Sequence, residues 1–303
     1  MLDIKVKTEN RQTHTRISAQ ELSDLVHRIG GEADRFLVVQ RVPDRPGHFV
    51  QTWHENGGDY QLEYRDGGPE RHFRVTAGSP ERVAEVMTRW ARQEPQWDAG
   101  IVWESAGLPA AEPVPPMPAE IEEQLTEWIR LALRGGYGTV KSLTELAEYH
   151  LAEDGVRPVT TAQARQLVER LWVARVDEQE RWTDVTDADR LERAFAALDA
   201  SGITAREDFA CCRSCGLGEI HADGDEDARG FVFFHSQCTE AVALGHGLSL
   251  HYGGFDRSEA TTTAIGHEVA AALTAAGLTV KWDGSPGQSI ELTGPDWRKR
   301  LVG

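Results

Sequence analysis

The spacing of apolar residues changes character along the chain, and each change marks an element. Ser18-x-x-Glu21 is a capping box opening a helix with Leu22, Leu25, Val26 and Ile29 on one face, and Gly30 stops it. Apolar and polar residues then alternate over 36–42, 48–54, 59–65 and 71–76, which predicts strands. Tyr60, Leu62 and Tyr64 share one face and meet Phe73 and Val75, with Asp66-Gly67-Gly68 turning the chain between them. Ser79-Pro80 caps a second helix bearing Val83, Val86, Met87 and Trp90, and a short strand is expected at 100–104. The pattern predicts an antiparallel meander with helices on one face, an α+β domain over residues 1–105.

Residues 106–119 break the pattern. Pro113, Pro115, Pro116 and Pro118 remove the backbone donors a regular element needs, so the stretch reads as a semi-rigid extended linker. Helical spacing governs 120–200, with helices expected at 119–134, 142–153 (capping box Ser142/Glu145), 160–176 (Thr160/Gln163) and 187–200, the last burying Leu191, Phe195 and Leu198. From 201 to 303 the pattern is mixed: strands at 230–235, 248–252, 278–282 and 289–293, an Ala-rich helix at 258–276, and a hairpin turn at 283–287. The expected class is α+β throughout, with the helical segment leading into a mixed α/β C-terminal domain and 120–303 forming one unit.

Charge narrows the functional classes. The 303 residues carry 32 Lys+Arg against 49 Asp+Glu, a net charge of −17. That surplus repels phosphate, so nucleic-acid binding through a basic groove is disfavoured and a basic protein partner is favoured. Residues 1–105 are nearly balanced, with 14 basic and 17 acidic side chains; 106–200 carry 10 and 18, and 201–303 carry 8 and 14. No stretch approaches the roughly 20 apolar residues that span a bilayer, and the opening Met1-Leu-Asp-Ile-Lys-Val-Lys-Thr lacks a signal peptide's apolar core. A cytoplasmic protein without a membrane partner is expected.

All four cysteines lie between Cys211 and Cys238, which points to metal or thiol chemistry rather than a disulfide scaffold. Cys212-x2-Cys215, nineteen residues, then His235-x2-Cys238 has the ligand types and spacing of a tetrahedral Cys3His zinc site. In this reading the two thiolates flank a tight turn, and Gly216 lets the backbone fold back towards the sulfurs. Five of the eleven histidines (His221, His235, His246, His251 and His267) fall in the same region and supply spare ligands. Buried reduced thiols are the bland alternative. A Cys212/Cys215 redox pair is a third, with the objection that such a pair should follow a core strand inside a βαβ unit and 205–210 is not an apolar run. The calcium-like Asp223-x-Asp225-x-Asp227 lacks its turn glycine and terminal glutamate. His267-Glu268 lacks a zincin's second histidine, Gly245-x-Gly247 leads into no helix, and neither a Walker loop nor a serine elbow is present.

The stretch from about Glu122 to Trp297, above all Phe209-Ala-Cys-Cys-Arg-Ser-Cys-Gly216, Gly230-Phe-Val-Phe-Phe-His-Ser-Gln237 and Thr239-Glu240, resembles a bacterial family catalogued only as a domain of unknown function. That family's pattern carries an acidic residue where this chain has Cys238. The first domain, through its meander, its Asp66-Gly-Gly hairpin and Val102-Trp-Glu104, resembles immunity proteins of polymorphic-toxin systems. This resemblance implies a non-catalytic domain that binds a toxin through an acidic and aromatic surface. The leading expectation is a non-enzymatic interaction protein with an acidic surface that engages a basic, toxin-like partner, with no catalytic or cofactor-binding residue assigned. The alternative is a zinc-binding domain or metal-dependent enzyme holding one zinc ion at Cys212, Cys215, His235 and Cys238.

Overall fold

The computed structural model describes residues 1–302 and divides into two compact units. The first comprises Met1–Pro118, Arg157–Val176 and the C-terminal residues from Leu301; the second comprises Ala119–Val156 and Asp177–Arg300. Both combine helices with a sheet, so the chain is α+β. No described helix is long and apolar enough to cross a membrane.

In the first unit, β1 (Ile4–Thr8), β2 (Thr13–Thr15), β3 (Phe36–Arg41), β4 (His48–Trp53), β5 (Tyr60–Asp66), β6 (His72–Ala77) and β7 (Glu104–Ser105) form one antiparallel sheet in the order β2-β1-β3-β4-β5-β6-β7. Leu62 pairs with Val75 and Tyr64 with Phe73, as the alternation predicted. Helices α1 (Ala19–Arg28) and α2 (Pro80–Ala91) cover one face. Leu22, Val26, Val83, Val86 and Met87 pack there on Ile4, Val6, Leu37, Val39, Val50 and Leu62. Each such side chain contributes roughly 1.5–3 kcal/mol by leaving water. Ser18 and Glu21 form the expected capping box: the Glu21 amide donates to Ser18 Oγ at 3.1 Å and the Ser18 amide to Glu21 Oε2 at 2.7 Å. Three features differ from expectation. The closing strand shrinks to Glu104–Ser105, and two further strands join the sheet: the three-residue β2, and β1, whose Ile4-Lys5-Val6-Lys7 alternation is the pattern of a half-buried strand.

The second unit opens with α3 (Ala119–Gly135) and α4 (Val140–His150). Helix α4 is capped by Thr139 with Ser142 at its third position, so the expected Ser142/Glu145 box is replaced by one starting three residues earlier. The long α5 (Thr161–Gln179) begins in the first unit, where Trp172 is fully buried and donates its indole N–H to the Asp44 carbonyl at 2.6 Å. Helix α6 occupies Asp187–Ala200 and buries Leu191, Phe195 and Leu198 as predicted.

A second sheet follows, built from β8 (Ile203–Arg206), β9 (Gly230–Phe233), β10 (Leu248–Gly254), β11 (Val280–Lys281) and β12 (Ile290–Leu292) in the order β11-β12-β10-β9-β8. Helix α7 (Arg213–Asp223) crosses from β8 to its parallel neighbour β9, α8 (Ser236–Ala243) joins β9 to β10, and α9 (Glu259–Ala275) follows β10. The pleat divides the sheet's two faces. Val232 and Phe234 enter the main core with Leu248, Leu250, Ile265 and Val269, while Phe231 and Phe233 pack on the other side with Ile220 of α7.

Candidate functional site

The parallel pair β8 and β9 sets the location of the cysteines. Helices α7 and α8 each begin shortly after one of these strands ends, so both helix starts lie at the strands' carboxyl ends. In open sheets containing parallel strands, that edge is where ligands bind. The two starts are tied together: the Ser236 amide donates to the Ala210 carbonyl at 3.2 Å, and the Ser236 hydroxyl to the Cys211 carbonyl at 3.1 Å.

Cys212 is the N-cap of α7 and Cys215 lies in its first turn, so these thiols flank a helix start, not the expected tight turn. Gly216 is likewise helical. A Cβ on it would lie 2.4 Å from the Phe233 ring, so its role is to let α7 close onto β9. The βαβ setting removes the objection raised against a Cys212/Cys215 pair: the preceding strand exists, but it is the short Ile203–Arg206, which overlaps the stretch 205–210 only at its last two residues.

The structure brings together two groups of possible ligands. The sulfurs of Cys211, Cys212 and Cys215 lie within 4.8 Å of one another, with Cys211 and Cys215 at 3.5 Å. Two thiolates bound tetrahedrally to one zinc stand about 3.8 Å apart, from a Zn–S distance of about 2.3 Å. The second group is His235, Cys238 and His251, also within 4.8 Å. The four residues expected to form one Cys3His site are thus divided: Cys212 and Cys215 stand with Cys211, whereas His235 and Cys238 stand with His251.

Electrostatics distinguish Cys212 from Cys215. The Cys215 amide, aided by the Cys215 and Cys211 thiols, holds Cys212 below the ordinary thiol range. Hydrogen bonding with Cys211 and then Cys212 pushes Cys215 up to about 11. A thiolate is therefore easier to form at Cys212 than at Cys215. The loop before it is held by buried polar groups. Glu207 accepts from Tyr137 at 2.6 Å and from Lys299 at 2.7 Å, and Asp208 accepts from Thr239 at 2.6 Å. Asp208 and Ala210 have φ of 48° and 62°, left-handed values that for Ala210 cost about 1 kcal/mol or more.

Neither Cys211 nor His251 belonged to the expected ligand set, although both lay among the spare candidates. The signal for His251 was period-two spacing: it pairs with Phe233, two residues before His235, so the pleat puts all three on one face. For Cys211 the signal was adjacency to a helix cap, which becomes legible only once α7 is recognised.

No significant match is found among curated proteins or among solved structures. The sequence pattern of a family described as "Domain of unknown function (DUF6891)" matches residues 118–301, taking in both ligand groups and well over half the chain. The protein therefore belongs to the DUF6891 family.

Proposed function

We propose that the second unit is a thiolate metal centre in which Cys211, Cys212 and Cys215 hold a zinc ion. The observation that carries this reading is the convergence of three sulfurs at the start of α7. Three protein ligands leave a fourth position for solvent or a substrate, the arrangement of catalytic rather than closed structural zinc. The same sulfurs could form a disulfide when metal-free, so metal occupancy would protect them from oxidation.

The test is cobalt(II) titration of protein reduced under anaerobic conditions, with zinc as competitor. Sulfur-to-cobalt charge-transfer absorption should appear and be displaced by zinc. It should fall sharply in Cys211→Ser/Cys212→Ser/Cys215→Ser, with the circular dichroism of the folded chain retained. Reduced wild-type protein whose charge-transfer band is unchanged by the triple substitution would overturn the reading.

A second reading is favoured by charge. Residues 106–303 hold 18 basic and 32 acidic side chains, so the second half of the chain is suited to meet a basic protein. An immunity-like role for the first unit is part of this proposal and draws on its sheet and two helices. A pull-down at low and high salt tests it; capture of no basic protein under either condition counts against it.

A further inference from the structure

The second ligand group lies deeper than the first. His235 and Cys238 are each 7% exposed, and the Nε2 atom of His251 is shielded from solvent without a hydrogen-bond partner. An imidazole nitrogen in that state forgoes a hydrogen bond it would have in water. The other nitrogen of that ring has a partner: His251 Nδ1 is 3.3 Å from Ser289 Oγ. With Nδ1–H donating to Ser289, Nε2 keeps its lone pair. This is how histidines that bind metals are commonly oriented, with one nitrogen fixed by a neighbour and the other directed at the ion.

The neighbouring groups complete a donor set. One ring nitrogen each of His235 and His251 and the Cys238 sulfur lie within 4.8 Å of one another, and Cys238 Sγ is 3.5 Å from His235 Nε2 and 3.7 Å from Nδ1. A nitrogen about 2.05 Å and a sulfur about 2.3 Å from one ion at the tetrahedral angle stand about 3.6 Å apart.

We infer that His235, Cys238 and His251 form a second, buried metal site, taking zinc or a cation of similar softness, separate from the three cysteines at the start of α7. Two imidazole nitrogens and one thiolate are donors that zinc accepts readily, and they leave a fourth position for water. Binding would require Cys238 to lose its proton to solvent as the metal–sulfur bond forms, so that one thiolate offsets half of the charge of a divalent cation.

The experiment uses the full chain, reduced and metal-free, titrated with cobalt(II) and followed by charge-transfer and ligand-field absorption. The proposed function and this inference together predict two equivalents for wild type. The protein carrying Cys211→Ser, Cys212→Ser and Cys215→Ser should keep one equivalent, with the weaker charge-transfer band of a single thiolate. Adding His251→Ala to that background should weaken binding at least tenfold, and adding Cys238→Ser should abolish the remaining band. Circular dichroism confirms that each variant is folded. One equivalent in both wild type and the triple variant would support this site while removing the three-cysteine centre. No binding by the triple variant, or binding indifferent to both His251→Ala and Cys238→Ser, would overturn it.

Discussion

Gly216→Ala is the most direct test of how the fold positions the cysteines. A Cβ at this position would lie 2.4 Å from Phe233 Cε2 and 2.6 Å from Cζ, where ordinary contacts begin at 3.4 Å. Relief requires a shift of about 1 Å, either by the ring or by α7. The ring has little freedom: Phe233 is fully buried, with Phe209 and Phe231 at 5.9 Å and His251 at 5.4 Å. The helix start must therefore move, and Cys212 and Cys215 move with it. Alanine gains about 0.5–1 kcal/mol of helix preference over glycine. Overpacking a core typically costs about 1–3 kcal/mol, so the net loss should be about 1–2 kcal/mol, accompanied by weaker cobalt binding at the cysteines. Urea denaturation measures the first and the titration above the second. A double-mutant cycle isolates the cause: Phe233→Ala alone should cost about 3–5 kcal/mol, but on that background Gly216→Ala should become neutral or stabilising. A Gly216→Ala protein as stable as wild type, or a penalty that survives Phe233→Ala, would refute the close-packing account.

Other expectations concern the surrounding groups. Iodoacetamide at neutral pH should alkylate Cys212 of the metal-free protein before Cys215, because helix amides lower the first thiol and its neighbours raise the second to about 11; peptide mass spectrometry reads the order. Ser289→Ala should weaken metal binding at the buried histidines about tenfold through loss of the hydrogen bond that orients His251, measured by competition titration. Lys299→Met leaves Glu207 without its buried cation and should destabilise the second unit by about 3 kcal/mol in urea. Burial, then the Glu207 charge, holds the Tyr137 phenol well above its usual value. Unfolded tyrosine ionises near pH 10 and the folded side chain does not, so stability should fall as pH rises past 10. Tyr137→Phe should remove part of that loss, as measured by denaturation at several alkaline pH values.

The sequence is most legible where one face of an element is buried and the other wet. The α1 capping box, the Leu62–Val75 register and the bounds of α6 follow from such patterns. The region around the cysteines hides its structure for the opposite reason. Strand β8 is only four residues long and shows no alternation, whereas β9, an apolar run buried throughout, lies within the strand expected at 230–235. Helix α7 carries Gly216 and Gly218 near its start and buries little beyond Gly216 and Ile220, so its spacing resembles a turn. Spacing therefore picks out residues that lie in the two clusters without their grouping. Cys212-x2-Cys215 and His235-x2-Cys238 each bring a pair to one helix start, but the two pairs belong to different helices, and the third members come from Cys211 and from β10.

The proposed centres carry charges of opposite sign. With water as the fourth ligand, zinc held by three thiolates has a net charge of −1, which calls for solvent and positive dipoles; Cys211 is exposed and Cys212 caps α7. With the same fourth ligand, zinc held by one thiolate and two imidazoles has a net charge of +1, which an acidic chain offsets. The acidity of the surrounding chain also gains a role that needs no protein partner. A negative field draws divalent cations towards the unit, while the amides at the two helix starts favour thiolates locally. The same charge surplus that argues against nucleic acid is thus compatible with metal uptake at the carboxyl ends of β8 and β9.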